Sequence, residues 1–150
     1  MKQTPQMQRL QEVLRSSKIV AGGFLGSDTR DLTEIIDADA ASLVKLGHST
    51  VQIAQRMQEL TAIAIPRLGM WVNAGDDMEV SCEDYKGRLV CPWPHPVSVA
   101  KRVTTARRVD SGETIRWTDM NIHLIAQHCF FEGRGSAFRI EPATLVGVIF

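Results

Sequence analysis

The apolar period of this 150-residue chain changes near Gly69. Before it, apolar side chains recur every three to four residues, as on one face of a helix; after it they alternate, as on a strand. Thr4 and Pro5 read as a cap and first residue of a helix continued by Met7, Leu10, Val13 and Leu14. Leu32, Ile35, Ile36, Leu43 and Val44 mark a second helix, stopped at Gly47. Ile53, Met57, Leu60 and Ala64 mark a third, capped by Ser49 or Thr50 and ended by Pro66. Ile19 to Leu25 reads as a short strand leading to a cap at Ser27 or Asp28.

Beyond Gly69, Met78, Val80 and Cys82 alternate with Glu79, Ser81 and Glu83, and Leu89, Cys91 and Trp93 alternate with Arg88 and Val90. This pattern predicts a hairpin turning near Lys86 and Gly87. Val99 to Val109 and Glu113 to Trp117 read as further strands, and Thr118 caps a helix through Phe131 that Gly133 closes. Phe138 to Ile140 and Leu145 to Phe150 are expected to finish the sheet. Helices first and strands later, with one late helix among them, predict an α+β fold: N-terminal helices on a mostly antiparallel sheet, with the Thr118 helix packed centrally. The length fits a single domain, residues 1–150.

Composition narrows the function classes. Seventeen basic residues balance seventeen acidic ones, which argues against general nucleic-acid binding because coating phosphates calls for a basic surplus. The local surplus of Lys101, Arg102, Arg107, Arg108 and Arg116 is expected to be the solvated side of a strand. The start lacks an apolar secretory core, and no window is long and apolar enough for a membrane span, so a cytoplasmic location is expected. Three cysteines in a reducing compartment are expected as free thiols or ligands.

The richest segment is MEVSCEDYKGRLVCPWPHP, Met78 to Pro96. A two-residue turn at Lys86 and Gly87 would set Cys82 opposite Cys91, whereas a three-residue loop would pair Cys82 with Val90 and turn Cys91 away. With the first arrangement, Cys82, Cys91 and His95 are candidate ligands for zinc, although their spacing departs from that of a zinc ribbon or finger. The alternative is that both thiols are small buried apolar groups. The prolines at 92, 94 and 96 hold the backbone extended, as suits a pocket rim.

On the late helix, Ile122, Ile125, Ala126, Cys129 and Phe130 form one apolar face and Met120, Leu124 and Phe131 a second. A helix apolar on two sides packs against the sheet and against another helix or subunit. His123 and His128 are five apart and project about 140° from each other, which predicts that they do not share one metal. A small-ligand pocket is expected around Trp93, His95, Arg116, Asn121 and His128. The apolar tail and the two-sided helix suggest a homodimer. No nucleophile elbow, triad order or paired carboxylates point to a reaction, although a metal-dependent or thiol enzyme is one alternative to a binding or interaction module.

From Gly47 to Met57, GHSTVQIAQRM resembles the first helix of the helix-turn-helix in quorum-sensing-type transcription regulators, through Gly47, Ser49, Ile53, Ala54 and Met57. The resemblance covers eleven residues and implies DNA binding through a recognition helix that should follow. Here Gln58 to Ile65 is expected to continue the same helix instead.

Overall fold

A computed structural model describes residues 3–150; Met1 and Lys2 lie outside the described residues. Each N-terminal helix starts where a side chain satisfies its first amides. Thr4 Oγ1 accepts from the Met7 amide at 3.2 Å and begins α1, Pro5–Arg15. Glu34 reaches back to the Asp31 amide at the start of α2, Leu32–Leu46, which Gly47 closes with φ 75°. Ser49 and Gln52 cap each other's amides at 3.1 and 3.0 Å to open α3, Thr50–Ala64. A 3₁₀ turn, Ile65–Arg67, follows. The chain then passes into strand, so no second helix succeeds the Gly47–Met57 motif directly.

Four strands, β1 Val72–Asn73, β2 Met78–Val90, β3 Ser98–Arg108 and β4 Thr114–Thr118, pair antiparallel in the order β1-β2-β3-β4. Then come α4, Asp119–His128, and α5, Pro142–Ile149. The fold is α+β, with helices packed on an antiparallel sheet.

Two apolar clusters flank α4. One gathers Ile53, Met57 and Leu60 of α3, Val80 and Cys82 of β2, Trp117 of β4, Ile122 and Ile125 of α4, and the buried side of α5. The other gathers Leu14 of α1, Leu32 and Ile35 of α2, Phe24, Cys91, Phe130, and Met120 and Leu124 of α4. The late helix is thus buried on both sides within the chain, as its two apolar stripes require. Buried Leu145, Val148 and Ile149 occupy the tail in the same way. The two features that suggested a homodimer are therefore accounted for within one chain.

Several expectations are corrected. Lys86 and Gly87 do not turn the chain. They form a bulge in one long strand, where the register passes from Tyr85↔Lys101 to Arg88↔Ala100 and Gly87 adopts φ 97°. The reversal comes at the prolines, which lack the amides a continuing strand needs. The Cys91 amide donates to the Val97 carbonyl, and successive three-residue turns are closed by His95 N to Trp93 O at 2.8 Å and Val97 N to His95 O at 2.9 Å. Cys82 within β2 and Cys91 just past its end consequently do not face each other across a hairpin, and they are buried in different apolar clusters. Cys82 lies opposite Thr104 instead.

The segment Leu145–Phe150 is helical rather than extended, because Pro142 starts a turn and Leu145, Val148 and Ile149 then fall on one face. Ile19 to Leu25 runs through turns, with Gly22 and Gly23 at φ 78° and 72°. The late helix stops at His128, three residues before Phe131, because Cys129 takes a left-handed cap at φ 51°. That early stop sends Phe130 and Phe131 into the clusters opposite to those their helical phase implied.

The basic stretch is largely neutralised: Arg102 pairs with Asp119, Arg107 with Glu79 and Arg108 with Asp110. Among the described residues, no helix is long and apolar enough to cross a membrane.

Candidate metal centre

The proline turn brings Cys91 and His95 against the C-terminal half of α4. The helix contributes His123 from its middle and His128 from its last residue. The ligand atoms of Cys91, His95, His123 and His128 all lie within 4.8 Å of one another. His95 Nε2 is 3.0 Å from Cys91 Sγ, 3.4 Å from His123 Nε2 and 3.2 Å from His128 Nε2, and Cys91 Sγ is 3.7 Å from His128 Nε2.

Hydrogen bonding cannot account for that convergence. A ring nitrogen carries either one proton or one lone pair, so His95 Nε2 can satisfy one of its three neighbours. Three of these four separations lie near the edges of a tetrahedral coordination shell, and the Cys91–His95 approach of 3.0 Å is shorter. Tetrahedral zinc with bonds of about 2.3 Å to sulfur and 2.0–2.1 Å to nitrogen has N···N edges of roughly 3.3 Å and S···N edges of roughly 3.6 Å. The set is soft and nitrogen-rich, as zinc prefers.

The surroundings favour uncharged His123 and His128 and a protonated Cys91 thiol. Burial pushes the Cys91 thiol above its ordinary range. Burial, and then repulsion from His95, lowers His123; burial, then repulsion from His123 and His95, lowers His128 to about 4. Neutral imidazole is the form that binds a metal, and a dication would offset the desolvation that holds the proton on sulfur. Trp93 walls the site by stacking on His128, with centroids 4.0 Å apart and planes within 9°. Phe130 meets the indole from the side at 5.5 Å.

Of the residues expected to bind metal, Cys91 and His95 are in the cluster and Cys82 is not. Cys82 is buried in the other core, opposite Thr104, where desolvation raises its thiol. It behaves as the small apolar group that the alternative reading described. The expectation that His123 and His128 point away from each other is not met: their ring centroids are 5.5 Å apart. The angle between Cβ directions does not fix the ring nitrogens, since two side-chain torsions in each residue turn them toward His95. The sequence did carry a signal. Cys91 and His95 are separated by three residues and His123 and His128 by four, each inside the range of zinc-ligand pairs.

The five expected ligand-binding residues divide between two places. Trp93, His95 and His128 belong to the cluster. Asn121 and Arg116 do not: Asn121 is buried beside Glu132, and Arg116 lies over the ring of Phe138 at 5.4 Å. No protein-family model, curated protein or solved structure matches the chain.

Proposed function

We propose that this chain is a metal-binding module in which Cys91, His95, His123 and His128 hold one zinc ion. The observation that supports it is the triple approach to His95 Nε2, at 3.0, 3.2 and 3.4 Å, which hydrogen bonds leave unsatisfied. Four protein ligands fill a tetrahedral shell, the pattern of a structural centre rather than of a catalytic one that keeps a position for water. The ion would fasten the proline turn to α4 and so join the end of the β2–β3 ribbon to the helix shared by both cores. The role is stabilisation of a binding or interaction domain rather than hydrolysis.

Metal analysis of the purified chain after exposure to zinc and removal of the excess tests this reading. One equivalent is expected. Cys91→Ser or His128→Ala should abolish tight retention, whereas Cys82→Ser should leave the stoichiometry unchanged. Cobalt substitution should give tetrahedral visible bands and a thiolate charge-transfer band that Cys91→Ser removes. No retained zinc, or retention unaffected by Cys91→Ser, would overturn the proposal.

A further inference from the structure

On the side of α4 that carries Met120 lies a separate cavity of about 220 Å³. Its wall is apolar, formed chiefly by Val20, Phe24, Leu89, Met120 and Phe138, with Glu132 as the ionisable exception. Glu132 is only 5% exposed and sits in left-handed backbone at φ 67°, a conformation that costs a non-glycine residue free energy. Its Oε2 accepts from Asn121 Nδ2 at 2.9 Å and its Oε1 from Ser136 Oγ at 3.0 Å. Each oxygen keeps one further acceptor position.

No cation answers this carboxylate among the described residues. The nearest candidate, Arg139, directs its guanidinium to Asp39, to Glu141 and to the backbone carbonyl of Glu132. Asn121 donates both to Glu132 and to the Phe138 carbonyl, so it has no free capacity for a ligand. The site therefore combines an apolar chamber with a held acidic group that has no direct ion-pair partner among the described residues.

We propose that this cavity binds a small primary amine with a short apolar body, its ammonium group on Glu132. An engineered cavity of about 150 Å³ accepts benzene, so the present one suits a body of about six to eight carbons. The ammonium supplies donors for the open acceptor positions and a charge-assisted hydrogen bond, which is stronger than a neutral one. Burial raises the Glu132 carboxyl to about 7 despite hydrogen bonds from Ser136 and Asn121 and the charge of Arg139, and an ammonium group against it would favour the ionised form further.

Calorimetric titration of the full chain with n-hexylamine, n-hexanol and hexanoate at about pH 8 tests the proposal. The amine is expected to saturate one site and to bind at least about tenfold more tightly than the alcohol or the acid. Glu132→Gln should abolish that preference. Ala21→Trp, on an exposed residue of the wall, should block the amine without touching Glu132, and it carries the test if the Gln variant does not fold. Equal or tighter binding of the alcohol or acid, a preference that survives Glu132→Gln, or no saturable amine binding would each overturn it.

Discussion

Arg139 grips Asp39 through two hydrogen bonds, at 2.6 and 2.9 Å, across one hundred residues of sequence. Both side chains are nearly sealed from water, at 8% and 6% exposure. The pair ties α2 to the segment that leads into α5. Removing one partner strands a buried charge, so Arg139→Ala should cost about 3–5 kcal/mol in urea unfolding. Arg139→Lys should recover little, because an ammonium cannot reproduce the fork. A loss below about 1 kcal/mol for Arg139→Ala would contradict this account.

A second buried relay joins α3 to the sheet. Trp117 Nε1 donates to Thr61 Oγ1 at 3.0 Å, and Thr61 Oγ1 lies 3.0 Å from Thr104 Oγ1. All three residues are fully buried. Thr61→Val keeps the shape and orphans the indole donor, so about 1–3 kcal/mol of stability should disappear. Thr61→Ser should retain most of it. Chemical denaturation of the two variants side by side separates the hydrogen bond from the packing.

Two glycines should respond to alanine with opposite signs. A Cβ on Gly133 would fall 2.4 Å from the Leu25 carbonyl oxygen and 2.7 Å from its Cα, where backbone cannot yield cheaply. Gly133→Ala should therefore destabilise by about 1–3 kcal/mol or more. At Gly147, inside α5, nothing lies within 4 Å of such an atom. Gly147→Ala should stabilise by about 0.5–1 kcal/mol. Thermal melts of both variants give the comparison directly.

Glu132 sets a pH dependence. Burial is the main cause of its rise from 4.5 to about 7, opposed by hydrogen bonds from Ser136 and Asn121 and by the charge of Arg139. Between those two pH values the folded state holds a proton that the unfolded chain has released, so this group's contribution falls as pH increases. Its stabilisation is complete below 4.5 and lost as pH passes about 7. The advantage of Glu132→Gln over the parent should therefore grow from about pH 5 to about pH 8, by as much as roughly 3 kcal/mol. Parallel stability profiles for the two proteins would refute it.

The helices were legible because each announces its own start: Thr4 with Pro5, and Ser49 with Gln52, solve a local hydrogen-bonding problem that sequence displays. Ends and turns were less so. Lys86-Gly87 suits a turn and a bulge equally well, and only the pairing of β2 with β3 along its full length selects the bulge. Cys129 as a left-handed cap is equally invisible locally, since residues other than glycine rarely accept it. Two of the cluster's residues, Cys91 and His95, were named together with a third, Cys82, that lies elsewhere, because its inclusion depended on the misplaced turn. That His123 and His128 join them was missed by treating histidines as rigid spokes rather than jointed side chains.

The prolines between the sulfur of Cys91 and the ring of His95 have a further effect. Pro92 and Pro94 restrict that tether in the unfolded chain as well as in the native one. The two donors therefore act as a single stiff pincer. On the proposed zinc reading, an ion captured by one would meet the other at a high effective concentration, without first freezing a floppy connection.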